Sequence, residues 1–332
     1  MKLSVKSTLV FLGATVLFSG CAQKVRVKAL QPAEVSRAAL TKKIAVTEFR
    51  NDRPNISGKI EADLAKHKLD GKQYFTVVSR QDLNKVLAEQ KVGSSGLIDP
   101  KTATQVGKLI GAQAIISGKT GNASTSDTSF YEERTKCNKD SCWKIKVSCK
   151  KRAAGLDAEI RMIDTQKGDI IYADTINEQE TWKHCNDDSH ALPSASMASQ
   201  QLASRIADKF TYKLMPHYVY YSVVLLEDPD LEYTEKQEAL LENSLEFIKQ
   251  NRYDRAETLL KKLIASTNGK SYVPFYNLGV IKEAQGQYEE AKKDYKKADS
   301  LTVKPVEEIN TAINHIDKVI ESNKKALEQL KK

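Results

Sequence analysis

The sequence predicts an α+β protein in two parts: an α/β sandwich of a sheet with packed helices and a β-hairpin extension, then an all-α domain of helical hairpins. Three observations predict it. Between residues 43 and 117, short runs with period-two alternation take turns with segments of helical spacing. Residues 121–152 then lose that pattern and read as polar, extended chain. Beyond Pro229 the pattern is wholly helical, and it repeats at an offset of thirty-five residues. A length of 332 residues suits about two such domains.

The first element is not part of the fold. Lys2 and Lys6 give a positive start, Thr8 to Phe18 an apolar stretch, and Leu17-Phe18-Ser19-Gly20 a small-residue cleavage site ending at Cys21. The apolar run is too short to span a bilayer. Residues 1–20 are therefore expected to be a lipoprotein signal peptide. A cysteine directly after Ser-Gly matches the lipobox, in which the thiol receives a diacylglycerol and the new N-terminus further acylation such as palmitate. Ala22, where Asp would retain a lipoprotein at the inner membrane, points to the outer membrane, with the protein facing the periplasm. Residues 21–42 are polar, show no sustained period, and are expected to form a tether.

The formal charge of +9 falls to +7 when the leader and its two lysines are removed. The excess is spread over Lys-rich helices and loops. A nucleic-acid partner would call for a concentrated basic stripe with interleaved aromatics, so no nucleic acid is expected. The chain has no phosphate-cradling glycine loop, no Gly-x-Ser-x-Gly elbow and no His-Glu-x-x-His. An enzyme is not expected, nor a cofactor.

The α/β domain is expected over residues 43–225. Lys43 to Phe49 is a strand, with Ile44 and Val46 on the side opposite Ala45 and Thr47. Ser57 reads as the N-cap of a helix to about His67, carrying Ile60 and Leu64. Residues 74–78 form a second strand. Ser79 opens a helix with Leu83, Val86 and Leu87 on one face, ending near Gln90. Residues 100–110 form another helix, stopped by Gly111, and residues 112–117 a third strand. Residues 156–163 and 170–175 flank a turn containing Gly168, a hairpin signal. Ser194 to Met215 is a helix closed by Pro216. Residues 218–226 (YVYYSVVLL) form the strongest apolar run after the leader and read as a strand or a buried link between domains.

The all-α domain is expected over residues 230–332. Tyr253, Ala256 and Leu260 recur as Tyr288, Ala291 and Tyr295. A period near 34 is the tetratricopeptide signature, with one added residue in the turn at 266–271. The second copy also shows Phe275, Leu278 and Gly279, and the small residues Gly279, Ala291 and Ala298 allow close helix packing. Lys282 stands where that repeat usually has an aromatic. Residues 305–332 form a final amphipathic helix that would cap the stack. Such a stack offers a concave face to an extended peptide or a protein helix, so protein partners are expected through this domain.

Four cysteines remain beside Cys21, an even number in a chain bound for an oxidising space. If strands 156–163 and 170–177 pair about residues 166–167, extending that register puts Cys149 opposite residue 184, one residue from Cys185. Cys137 and Cys142 flank the turn-like Asn138-Lys139-Asp140-Ser141. Two disulfides are expected, although four cysteines allow three pairings. The competing use is a metal site, for which His184, Cys185, Asp188 and His190 offer ligand types.

Residues 74–90, with Arg80-x-x-Leu83-x-x-x-Leu87-x-Glu89-Gln90, followed by 97–100 and 106–118, resemble the CsgG family of envelope lipoproteins. The strand at Ile44-Ala45-Val46 and residues 157–164 with Gly168 fit the same layout, so the resemblance covers roughly residues 43–220. It implies a sheet with helices packed on it. The best-known member is the curli channel subunit, whose copies form a ring, each lending two β-hairpins to a shared barrel. Here those hairpins would fall at residues 121–152 and between about 175 and 195. A bilayer-crossing strand needs an apolar side over about 9 to 11 residues. Glu132 and Arg134 lie on one side of residues 128–136 and Glu133 on the other. The expected function is therefore an accessory or scaffold in envelope biogenesis or secretion, held to the membrane by its lipid and assembling with protein partners. An oligomeric curli-type export pore is one alternative, and an activator of a cell-wall synthase a second.

Overall fold

The computed structural model describes residues 22–90 and 96–331. The leader at 1–20 and Cys21 lie outside the described residues. In chain order the elements are β1 (Lys24–Gln31), α1 (Ser36–Leu40), β2 (Lys43–Val46), α2 (Ile56–Lys66), β3 (Lys68–Leu69), β4 (Lys72–Gln73), β5 (Thr76–Val77), α3 (Arg80–Glu89), α4 (Pro100–Ile110) and β6 (Ala114–Thr120). They continue with β7 (Ser124–Cys137), β8 (Cys142–Asp164), β9 (Ile170–Cys185), α5 (Ala195–Tyr212), β10 (His217–Val224), α6 (Glu235–Lys249), α7 (Tyr253–Ser266), α8 (Val273–Ala284), α9 (Tyr288–Asp299) and α10 (Glu307–Leu330). The chain divides into two compact units. One is Ala29–Val219 with Glu321–Lys332, the other the residues up to Lys28 with Tyr220–Ile320. The architecture is α+β, as the sequence predicts.

In the mixed unit the sheet order is β5-β2-β6-β8-β7, with β9 paired to β8. β2 runs parallel to both β5 and β6, setting Ile44 beside Val77 and Ala114. Because successive side chains of a strand point to opposite faces, the alternation in β2 divides the core. Ile44 and Val46 join Ala114, Ile116, Ile160 and Met162 beneath Ile60 and Leu64 of α2 and Leu202, Ile206 and Phe210 of α5. Ala45, Ile115 and Ile163 face the other way, against Leu83 and Leu87 of α3 and Val106 of α4. Each fully buried aliphatic or aromatic side chain contributes about 1.5–3 kcal/mol, so both helix layers are held by the sheet.

Local signals place the helix ends. Asp99 accepts the backbone N–H groups of Lys101 and Thr102 at 3.0 and 3.1 Å, and Pro100 supplies the first helical residue. Gly111 ends α4 with a φ of 64°, which a residue without Cβ adopts freely. The start of α2 departs from expectation. Ser57 lies buried within the helix, and the capping oxygens come from Asp52, which accepts from Ile56 N at 2.6 Å and Ser57 N at 2.8 Å. Left-handed turns at Asn51 and Asn55 (φ of 62° and 59°) bring that carboxylate over the helix end. Arg80 opens α3 and bridges back to α2, reaching Glu61 at 2.6 Å and Ser57 Oγ at 3.3 Å.

Residues 22–42, expected as a structureless tether, carry β1 and α1 instead. Lys24, Arg26 and Lys28 are exposed while Val25, Val27 and Ala29 are buried. This is a period-two strand in which three basic residues disguise the pattern, and β1 pairs with β10, the apolar run at 218–226. The stretch between 175 and 195 also differs from a second hairpin: residues up to Cys185 extend β9, which lies along β8.

In the helical unit, α6–α7 and α8–α9 form two helical pairs. Thr234 and Gln237 make a reciprocal capping box at the start of α6. Ala256 and Leu260 of the first pair are buried, like Tyr288, Ala291 and Tyr295 of the second. Gly279 permits the close approach of α8 and α9, since a Cβ there would stand 2.6 Å from the Tyr295 ring. Leu278 and Ala298 are buried, and Phe275 is half-buried with the Lys297 ammonium 5.8 Å from its ring centre. Lys282 pairs with Asp294 across α8 and α9 at 2.6 Å, a polar clasp where the repeat pattern favours an aromatic. In α10, Ile309, Ala312, Ile316 and Val319 are buried at helical spacing.

Candidate functional site

The helical unit concentrates its polar chemistry along α8. Asn277 is fully buried, and its Oδ1 accepts the Leu226 N–H at 3.0 Å while its Nδ2 donates to the Leu226 carbonyl at 2.8 Å. The preceding residue, Tyr276, donates its hydroxyl to the Val224 carbonyl at 2.8 Å. Glu283 follows two turns after Tyr276. Its Oε1 accepts from Tyr221 at 2.6 Å and its Oε2 from Tyr295 at 2.5 Å. Burial first, and then the Glu283 charge, raise the Tyr221 and Tyr295 phenols far above their usual value, so both remain donors. α8 thus holds the chain at 224–226, gripped through its backbone groups as a bound peptide would be.

Beside that segment lies a cavity of about 460 Å³ lined by β10, α8 and the start of α10. Tyr221 and Tyr276 form its aromatic walls, with Glu283, Glu307, Glu308 and His315 as its ionisable groups. The His315 ring meets Tyr221 edge-on with centroids 4.6 Å apart, and its Nε2 lies 3.7 Å from Glu283 Oε1. None of these residues was singled out from sequence. The available signal was a buried polar pair, Asn277 and Glu283, inside a helix otherwise rich in apolar residues.

The second candidate region is the arm formed by β7, β8 and β9. β7 pairs with β8 from Ser124↔Gly155 to Cys137↔Cys142, and β8 with β9 from Ile163↔Ile170 to Cys149↔Cys185. Cys137 is bonded to Cys142 and Cys149 to Cys185. The register expected from the turn placed Cys149 opposite residue 184. A bulge between Met162 and Ile163 shifts the pairing by one, which brings Cys185 directly opposite. At the tip, Asn138 Oδ1 accepts from Asp140 N and Ser141 N, closing the turn inside the shorter disulfide.

Register also fixes the faces of this arm. Glu132 and Arg134 lie opposite Val147 and Ile145 and share their face, while Glu133 lies opposite Lys146 on the other. Arg134 reaches Asp187 at 2.8 Å and Asp188 at 3.0 Å. Glu132 pairs with Lys183, and Arg152 holds both oxygens of Asp127.

The expected metal-ligand types near residue 184 do not gather their ligand atoms into one group among the described residues, and each is engaged separately. Asp188 accepts from Cys185 N at 2.7 Å and from Arg134, and His184 Nδ1 lies 2.5 Å from the His190 carbonyl. Glu132, Cys149 and Cys185 bring ligand atoms within 4.8 Å of one another, but the two sulfurs are spent on each other and carry no thiolate. Among the described residues no helix is long and apolar enough to cross a membrane.

A sheet with helices on both faces, a disulfide-pinned β-arm and two helical pairs define a mixed domain joined to a repeat module of the protein-binding kind. Residues 26–186 match the family described as curli production assembly/transport component CsgG, and residues 274–302 match the tetratricopeptide repeat. The chain therefore carries a CsgG-family domain followed by a C-terminal tetratricopeptide repeat. No curated protein matches it. Among solved structures, it is similar to the LpoB C-terminal domain from Salmonella enterica, with 16% identity over 45% of this chain and 96% of that one and a TM-score of 0.26. It is also similar to the lipoprotein GNA1162 from Neisseria meningitidis, with 14% identity over 51% and 97% and a TM-score of 0.27. A third is the PelC dodecamer from Paraburkholderia phytofirmans, with 13% identity over 58% and 98% and a TM-score of 0.21.

Proposed function

We propose that this protein is a periplasmic lipoprotein, anchored to the outer membrane through Cys21, that serves as a scaffold or accessory component in envelope biogenesis or secretion. Its helical unit recruits a protein partner. The CsgG-family domain supports the envelope setting, and the tetratricopeptide repeat supports the protein partner. The observation that carries a scaffold over a channel is the charge on both faces of the β7–β8 hairpin: Glu132 and Arg134 on one, Glu133 and Lys146 on the other. An arginine or lysine facing lipid at mid-bilayer costs about 2–4 kcal/mol.

A second reading, a subunit of an oligomeric export pore, is favoured by the length of β7. Fourteen residues exceed the about 9–11 that a tilted bilayer-crossing strand needs. Replacing Cys21 by serine separates the two readings. A scaffold then appears as a soluble periplasmic protein, and its wild-type form solubilised in detergent passes no current across planar bilayers. A large heat-sensitive oligomer that conducts ions would overturn the scaffold reading. Cross-linking with identification of the captured proteins, repeated after deletion of residues 230–332, tests the recruiting role. Undiminished capture by the shortened chain would refute it.

A further inference from the structure

We infer that the cavity beside α8 receives a single basic side chain, lysine or arginine, from a protein partner. This rests on reading the helical unit as a partner-binding module. The cavity holds about 460 Å³, within the range of ligand pockets. Its lining includes three carboxylates, Glu283, Glu307 and Glu308, and neither lysine nor arginine, although the chain as a whole carries a net charge of +9.

Glu283 is the deepest of these, its side chain 1% exposed. Its two hydrogen bonds come from neutral donors, the Tyr221 and Tyr295 hydroxyls. A buried carboxylate without a full counter-charge is costly. The nearest group able to carry positive charge is His315, whose Nε2 sits 3.7 Å away, buried and making no hydrogen bond among the described residues. Closed to solvent, Glu283 adds its negative charge behind the cavity wall, and the accessible rim carboxylates Glu307 and Glu308 are the ones that meet a cationic head group.

The walls fit the rest of such a side chain. The half-buried Tyr221 ring, with Val223 and Ala312, gives the lining apolar surface for an aliphatic stem, while Tyr276 closes the wall from within the core. A bare metal ion fits less well. Among the described residues, the three carboxylates do not converge closely enough to ligate one together. The site suits a charge borne on a chain, and the neighbouring α8 face already holds an extended segment by its backbone through Asn277.

The test follows the His315 ring resonances by NMR in the full chain with Cys21 replaced by serine. The probes are N-acetyl-lysine methylamide and its uncharged analogue N-acetyl-norleucine methylamide. The lysine probe is expected to shift His315 saturably, with at least tenfold tighter Kd than the norleucine probe. The double variant Glu307→Gln/Glu308→Gln, whose changes lie at the cavity rim, is expected to weaken the lysine probe about tenfold. Glu283→Gln should weaken it further; because that change touches two tyrosine hydrogen bonds, the double variant and the probe comparison on the unmodified cavity carry the test. Equal binding of the two probes, or no shift of His315, overturns the inference. The functional reading fails separately. If cross-linked capture is lost with residues 230–332 but unchanged in the Glu307/Glu308 double variant, the partner-binding role stands and the basic-side-chain site falls.

Discussion

Asn277 holds both backbone groups of Leu226, accepting its N–H at 3.0 Å and donating to its carbonyl at 2.8 Å. A primary amide supplies one acceptor and two donors in one plane. That geometry lets one side chain serve both backbone groups of a residue just past the end of β10. The chain is thereby fixed to α8 at Leu226, just past the point where Leu225 makes its last backbone bond to Gln23 beside β1.

Replacing Asn277 by alanine removes both bonds and leaves a part-buried N–H and C=O without their partner. Each unsatisfied backbone group costs about 1–3 kcal/mol, so the substitution is expected to destabilise the helical unit by about 2–4 kcal/mol. Denaturant unfolding of the full chain, followed by circular dichroism at 222 nm, reads this as a lower midpoint for helix loss. A shift under half a kcal/mol would mean the segment is held by its side chains instead.

The two disulfides should differ in weight. Cys149–Cys185 closes a separation of 36 residues and Cys137–Cys142 one of 5. Loop-closure entropy grows with loop length, and a bond of the longer kind typically stabilises by about 2–4 kcal/mol. The Cys149→Ser/Cys185→Ser double variant is expected to lower stability by that amount, and the Cys137→Ser/Cys142→Ser variant by less. Alkylation before reduction should label none of these four residues, and comparable losses in both variants would contradict the ordering.

His217 gives the mixed unit a pH dependence. Its ring packs 3.7 Å from that of Tyr212, and burial, opposed by the Met215 carbonyl near Nδ1 and helped by the charge of His67, pushes its pKa below the usual value. The folded protein therefore favours neutral His217. That stability is complete above the unfolded value of about 6.5 and is lost as pH falls through that value toward the folded one. Urea midpoints measured at pH 7.5 and 5.5 should fall, and His217→Phe should flatten the difference. An unchanged slope in that variant would assign the effect to another histidine.

Much of the fold was legible because its signals are local. Alternation in β2 placed Ile44 and Val46 on one side and Ala45 on the other, and the structure divides the core along that line. Pro100 and Gly111 bracketed α4 from within a dozen residues, and the structure adds Asp99 as its cap. β1 was missed because its outward positions are all basic, so composition suggested a solvated tether. The cap of α2 was misplaced because Asp52 reaches it only through left-handed turns at Asn51 and Asn55.

By itself the sequence determined the alternation of strands and helices, the recurrence of Tyr, Ala and an apolar residue in two helical pairs, the polar hairpin and the neighbourhood of the cysteines. These depend on period, turn chemistry and spacing along a short stretch of chain. Only the tertiary structure decided the one-residue bulge that sets Cys149 opposite Cys185, the self-held segment against Asn277, and the acidic cavity around Glu283. Those features join groups some fifty residues or more apart, or turn on a single irregular residue in a ladder. A buried polar side chain announces that it must have a partner. Which partner it finds depends on what the fold brings beside it.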